Sequence, residues 1–241
     1  MGRCHNTKDV IKKPILKIAL TTELKHLLPT QYALGLHTTT RELGLGLSNF
    51  AGETRSKVWD LDRELSSHLH QYLVEFIKPQ TWPDLAFIAV AKGPGGFTGT
   101  RIGVVTARTL GQQLGIPVFA ISTLAAVTWS QIPPNPPYKG GDQAIAVQMP
   151  AQRGQVFGAI YQPTPDASEL KVLLPDTVMT PEAWQEKLAT WNTDYQVIEA
   201  KSGLAATVTS VLQLAHLDWQ RGQRPNWSEA LPFYGQHPVQ M

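Results

Sequence analysis

Leu85-Ala-Phe-Ile-Ala-Val-Ala91 runs without a polar residue into Lys92-Gly-Pro-Gly-Gly-Phe97 and then into Thr98-Gly-Thr-Arg-Ile-Gly-Val-Val-Thr-Ala107. An apolar run with no alternation is the pattern of a strand covered on both faces, as in a parallel sheet. The glycine–proline turn ends it, and the spacing predicts a helix from about Thr98 to Leu114, closed by Gly115. Ile116-Pro-Val-Phe-Ala-Ile121 reads as a second buried strand, with Ser122 or Thr123 as the cap of another helix. Strand, helix and strand in this order indicate an α/β fold with parallel strands.

Upstream, Leu61, Leu65, Leu69, Tyr72, Leu73, Phe76 and Ile77 keep a helical period until Pro79 stops it. Asp60 is the expected cap, and Glu64 lies near the first turn, where the helix dipole favours a negative charge. Before that helix, Gln31–His37 is apolar, Arg41–Ser48 alternates with period two, and Glu53–Trp59 is a third short segment. Together these predict an antiparallel meander, so the order is β-β-β-α-β-α-β-α.

Four prolines and two glycines between Ile132 and Gly141 have linker composition. After them the order returns in weaker form. Ala144–Gln148, Gly154–Tyr161 and Leu170–Leu174 read as strands, Thr180 caps a helix opening on Pro181, and Tyr195–Glu199 and Gly203–Gln220 read as strand and helix. The expected organisation is a basic extension over 1–30, a first lobe over 31–131, a linker over 132–142, and a second, degenerate lobe with a tail over 143–241.

The chain has 241 residues, 42% hydrophobic and 17% charged, which fits a folded protein with a sizeable core and excludes a wholly disordered one. Its net charge of +2 is unevenly spread: residues 1–30 hold six Lys and Arg against two acids, the remainder fifteen against seventeen. A nearly neutral body gives no general nucleic-acid signature. No apolar run approaches the roughly 20 residues that span a bilayer, and Pro14–Leu20, interrupted by Lys17, is too short for a signal-peptide core. The single cysteine, Cys4, excludes an internal disulfide. A cytoplasmic protein without membrane contact is the expectation.

The Lys92–Gly115 stretch carries the chemistry in question. A glycine loop between a buried strand and a helix start presents backbone N–H groups and a positive dipole end, which suit a phosphate. Gly93, Gly95, Gly96, Thr98 and Gly99 are therefore the candidate phosphate loop. The P-loop lysine is missing, and the last glycine of a dinucleotide fingerprint is replaced by Thr98. Along the helix, Gly99, Gly103, Ala107 and Gly111 recur every four residues, at a propensity cost of about 1 kcal/mol per glycine. Such a stripe is sensible where another backbone comes very close, either within its own lobe or in a partner chain.

The run from Ala91 to Ala107, with Ile116-Pro-Val and Ile121-Ser-Thr-Leu124 downstream, resembles the bacterial TsaB family. That family's signature is Gly-Pro-Gly-Ser-Phe-Thr-Gly-x-Arg-Ile-Gly followed by Val-Ser-Thr-Leu. The match is specific over Gly93–Leu124, extends more loosely from Tyr32 to about Tyr161, and leaves residues 1–30 outside. The resemblance implies the actin-like ATPase (ribonuclease H-like) fold, with two tandem β-β-β-α-β-α lobes, the second reduced. It also implies a role in making threonylcarbamoyladenosine next to the anticodon of tRNA. There the TsaD-type paralogue performs the transfer, a TsaE-type protein is the ATPase, and the TsaB-type subunit is a dimerisation partner that touches tRNA only through the complex. In the family the two long helices of the first lobe form much of that contact. Leu69, Leu73 and Phe76 of one helix and Gly99, Gly103, Ala107 and Gly111 of the other are thus the interface candidates here, with a homodimer expected when the partner is absent.

This chain departs from the family at polar positions. It has Leu36-His37-Thr38 where the family has Ile-Asp-Thr, and Pro150-Ala-Gln152 with Gly154-Gln-Val-Phe157 where the family has Asp-Ala-Arg and Gly-Glu-Val-Tyr. Leu65 replaces a usual histidine. His37, Pro150 and Gln152 therefore mark degenerate cleft positions, stripped of the carboxylates that Mg-nucleotide chemistry needs. The expectation is a non-catalytic partner subunit, with no catalytic residue, no metal site and no required cofactor. The alternative is an independent actin-like ATPase or phosphotransferase, binding ATP with its phosphates at Gly93–Gly99.

Overall fold

The computed structural model describes residues 26–132 and 143–235. Strands β1 (Tyr32–His37), β2 (Glu42–Ser48) and β3 (Thr54–Asp60) are followed by helix α1 (Leu65–Phe76), strand β4 (Leu85–Ala91), helix α2 (Phe97–Leu114), strand β5 (Val118–Ile121) and helix α3 (Thr123–Ser130). The order then repeats as β6 (Ala144–Pro150), β7 (Val156–Pro163), β8 (Leu170–Met179), α4 (Pro181–Ala189), β9 (Tyr195–Glu199) and α5 (Val208–Gln220).

The first sheet is ordered β3-β2-β1-β4-β5 and the second β8-β7-β6-β9. In each, two hairpins make the antiparallel part and the strand after the helix adds in parallel to the first strand. The same arrangement therefore occurs twice, and among the described residues the second sheet has no counterpart of the fifth strand. This is the actin-like α/β fold with a reduced second lobe.

Local sequence explains most boundaries, and the structure corrects two. Asp60 does not cap α1; it is the last residue of β3, where its carboxylate pairs with Arg41 at 2.8 Å, and a 3-10 turn over Asp62–Glu64 leads into the helix instead. Strand β8 continues beyond Leu174 to Met179, through Pro175, because it is a sheet edge and the missing N–H breaks no ladder there. Ser122 caps α3 and Thr180 caps α4, each accepting from the backbone N–H three residues on.

Strand β2 shows how the layers are built. Leu43, Leu45 and Leu47 are buried in the core shared with α1 and α2, together with Leu65, Leu69, Leu73, Val104 and Ala107. Between them, Gly44 and Gly46 leave the other face smooth. A Cβ on Gly44 would overlap the Ala205 carbonyl, and one on Gly46 or Gly35 would stand 2.8 Å from the Leu212 side chain. Helix α5, from the second half of the chain, thus lies against the first sheet. Helix α3, from the first half, packs on α5 and on β6, β7 and β8 of the second sheet. It is apolar on all sides, as a helix enclosed between lobes must be.

The tail also returns to the first lobe. Val118 N–H donates to Pro225 O at 3.4 Å, Phe233 N–H donates to Lys92 O at 2.7 Å, and Ala230 joins the core under α2. The division expected near 132–142 therefore separates the two sheets but not the two cores, since each lobe supplies a helix to the other. Residues 1–25 of the expected extension, 133–142 of the expected linker and the end of the tail from 236 lie outside the described residues. Among the described residues no helix is long and apolar enough to cross a membrane.

Candidate functional site

The glycine loop joins β4 to α2 and is packed against the chain's own backbone. Gly96 N–H donates to Thr39 O at 2.7 Å, and a Cβ on Gly95 would overlap that same carbonyl. Gly93, with φ at +101°, leaves no space beside Phe233 O. Thr39 itself is buried, its hydroxyl 3.3 Å from that of Thr123. At the helix start Thr98 is exposed, and the neighbouring ring of Phe97 lies 4.5 Å from that of Tyr234. The β1–β2 connection thus packs against Gly95 and takes the Gly96 N–H, while Gly96, Phe97 and Thr98 remain exposed at the helix start.

The small-residue stripe also faces inward. A Cβ on Gly99 would overlap Thr38 O, one on Gly103 the Thr38 hydroxyl, and one on Gly111 the Val118 side chain. Ala107 is fully buried. This corrects the assignment of Gly99, Gly103, Ala107 and Gly111 to a partner surface: the close approach is to Thr38–Thr40, β5 and Trp227 of the same chain. Leu69 and Leu73 are core residues too. Phe76 is half-buried, edge-on to Trp59 at 6.1 Å and under the Arg55 guanidinium at 5.4 Å.

The outer faces of the same helices are different. Val74 on α1 and Val105 on α2 are each 50% exposed. An apolar residue in an otherwise polar face is a faint signal in sequence, and burial alone distinguishes it from the core positions.

His37, Pro150 and Gln152 occupy related places in the two sheets. His37 ends β1 and Pro150 ends β6, each at the hairpin leading to the next strand. Pro150 and Gln152 are exposed. His37 is fully enclosed, neither ring nitrogen has a hydrogen-bond partner among the described residues, and burial pushes its pKa down to about 3. It is a neutral interior imidazole and not a cleft group.

The cleft between the lobes is more polar than the sequence suggests. A cavity of about 330 Å³ lies beyond the carboxyl ends of β4 and β5. Asp176 of β8 projects into it, and its Oδ1 accepts from Tyr161 Oη at 2.8 Å and from Ser122 Oγ at 2.9 Å. Burial raises the Asp176 pKa, opposed by these two hydrogen bonds and by the charge of Lys92. Burial and the neighbouring carboxylate push the Tyr161 phenol well above its ordinary value. Asp218 and Arg221 pair at 3.3 Å along another wall. Sequence reasoning missed this cluster because its members are separated by 15 to 54 residues and lie on three elements. Among the described residues, no three His, Cys, Asp or Glu side chains converge as metal ligands do.

Residues 67–184 match the family model described as TsaD, tRNA N6-adenosine threonylcarbamoyltransferase. Curated relatives named tRNA threonylcarbamoyladenosine biosynthesis protein TsaB include one from Bacillus subtilis, 37% identical over 105 residues (44% of this chain and 42% of the relative). Another, from Escherichia coli, is 32% identical over 82 residues (33% of this chain and 32% of the relative). The matched stretch therefore spans less than half the length of these relatives. Among solved structures, a Pseudomonas aeruginosa protein described as similar to peptidase YeaZ superposes with a TM-score of 0.68 at 22% identity, covering 86% of this chain and 100% of that one. YeaZ from the same organism gives 0.66 at 21%, covering 85% and 99%. The fold is thus shared with YeaZ across almost the whole chain, and the sequence likeness to TsaB and TsaD proteins covers about half of the chain or less.

Proposed function

We propose that this chain is a non-catalytic subunit that binds and stabilises a TsaD-type transferase during formation of threonylcarbamoyladenosine in tRNA. The observation that carries the reading is the pair of outward valines, Val74 and Val105, on the two helices that cover one face of the first sheet. Each exposes apolar surface that a partner would remove from water, worth roughly 25 cal/mol per Å². The glycine stripe serves this surface indirectly, by seating α2 firmly on Thr38–Thr40 so that its outer face is rigid.

The independent ATPase reading gains no support from the glycine loop. The Gly96 N–H that would meet a phosphate is bonded to Thr39, and His37 stands neutral where the family carries a carboxylate. Contact with a TsaE-type ATPase and with tRNA would come through the assembled complex, and self-pairing through the same helix faces is the form proposed for the chain alone.

The test is co-purification with the TsaD-type protein of the same genome. Val74→Arg and Val105→Arg each place a charge on an already exposed position, so both variants fold normally by circular dichroism but lose the complex. Retention of the complex by the double variant overturns the helix-face assignment. Brisk Mg-dependent ATP hydrolysis by the isolated chain overturns the non-catalytic role.

A further inference from the structure

The interlobe cavity holds polar groups for which a partner-binding role has no use. Its volume of about 330 Å³ is at the small end of the ligand-site range, and ligands of open α/β sheets bind beyond the carboxyl ends of the strands.

Its charges divide into a closed pair and an open one. Arg221 is committed: it meets Asp218 at 3.3 Å and donates to Ser168 O at 2.7 Å. Asp176 uses Oδ1 for Tyr161 and Ser122, and its Oδ2 has no hydrogen bond among the described residues. Lys92 lines the same cavity and is near enough to lower the Asp176 pKa, yet it makes no ion pair within 4.0 Å with any described carboxylate. An ammonium and a carboxylate held apart in a partly desolvated space each lack a close counter-charge.

Only a ligand with both charges completes both groups. A simple anion on Lys92 would face Asp176, and a simple amine on Asp176 would face Lys92. A nucleotide triphosphate would bring several negative charges past two aspartates. Apolar walls from Leu214, Leu217, Val172 and Phe233 complete the cavity. We propose that the cavity binds a free α-amino acid with an aliphatic side chain, its carboxylate on Lys92, its ammonium on Asp176 and its side chain against Leu214 and Leu217.

Titration calorimetry on the full chain tests this with L-leucine, 3-methylbutylamine and 4-methylpentanoate as probes. L-leucine is expected to bind saturably, and each single-charge analogue at least about tenfold more weakly. Lys92→Met and Asp176→Asn are each expected to weaken L-leucine by about tenfold or more, the asparagine still accepting from Ser122 and Tyr161. Val172→Trp, at a position 59% exposed, fills the mouth without burdening the fold and is expected to abolish binding. The proposal is overturned if L-leucine, L-isoleucine and L-valine all fail to bind at about 20 mM. It is equally overturned if the amine alone binds as well as L-leucine, or if all three variants bind like the wild type. The assay contains no second protein, so its outcome is independent of the TsaD-partner reading.

Discussion

The Thr38 hydroxyl donates to the Gly99 carbonyl at 2.8 Å, and this contact joins the end of the first strand to the first turn of α2. It is possible only because positions 99 and 103 carry no side chain, since a Cβ at either would occupy the volume of Thr38. Gly99→Ala is therefore expected to destabilise by about 2–4 kcal/mol, against a helix-propensity gain of about 1 kcal/mol. Gly103→Ala should cost less, about 1–2 kcal/mol, because the Thr38 hydroxyl can rotate aside and forfeit one hydrogen bond. Urea denaturation measures both. A Gly103→Ala protein more stable than wild type would show that α2 leaves room for a methyl group beside Thr38.

His37 makes stability depend on acid. Its folded pKa of about 3 lies below the ordinary 6.5, so in that interval the unfolded chain binds a proton that the native one does not. Stability is complete above pH 6.5 and falls by up to ~1.4 kcal/mol per pH unit below it. Asp176 and Asp218, raised by burial, titrate with the opposite sign, so a comparison with a variant is needed to isolate the histidine. His37→Leu should be near neutral in stability at pH 7, since two unpartnered buried nitrogens disappear. At pH 4.5 it should exceed wild type by about 2–3 kcal/mol relative to that difference. Parallel pH profiles for the two proteins would refute the assignment of a neutral, buried imidazole.

Asp176 ties the second sheet to the cap of α3. Asp176→Ala would remove the acceptor that the Tyr161 and Ser122 hydroxyls share, leaving them only each other at 3.2 Å, and is expected to cost about 1–3 kcal/mol. Asp176→Asn keeps an acceptor and should cost under about 1 kcal/mol. Thermal unfolding followed by circular dichroism distinguishes the two. Equal losses would mean that charge, rather than hydrogen bonding, holds the cluster.

Arg55 closes the end of α1. Its Nη2 lies 3.0–3.1 Å from the carbonyl oxygens of Phe76, Ile77 and Lys78 and 2.7 Å from Gln80 Oε1. Arg55→Met keeps the apolar stem over Phe76 but removes the donors. It is expected to cost about 1–2 kcal/mol and to speed amide exchange in the last turn of α1. Unchanged exchange there would show that solvent serves those carbonyls equally well.

The alternation of Leu43, Leu45 and Leu47, the unbroken run of β4, and the caps at Ser122 and Thr180 were legible in the chain because each depends on neighbours in sequence. So was the duplicated order of elements, and with it the fold. The glycine stripe was visible as a demand for close approach, but its partner was not. Whether Thr38 or another molecule fills the space beside Gly103 depends on where β1 ends relative to α2, and no periodicity encodes that. The Asp176, Tyr161 and Ser122 cluster was invisible for the same reason.

Local patterning along the polypeptide by itself determined which segments are strands and helices, because side-chain period and backbone capping act over a few residues. Tertiary structure alone decided that α3 and α5 are exchanged between the lobes, that Thr39 packs against the glycine loop from within, and that a lysine and an aspartate line one cavity without pairing. Those outcomes arise from packing of surfaces distant in sequence, where the fit of whole faces, rather than any single residue's preference, sets the lowest free energy.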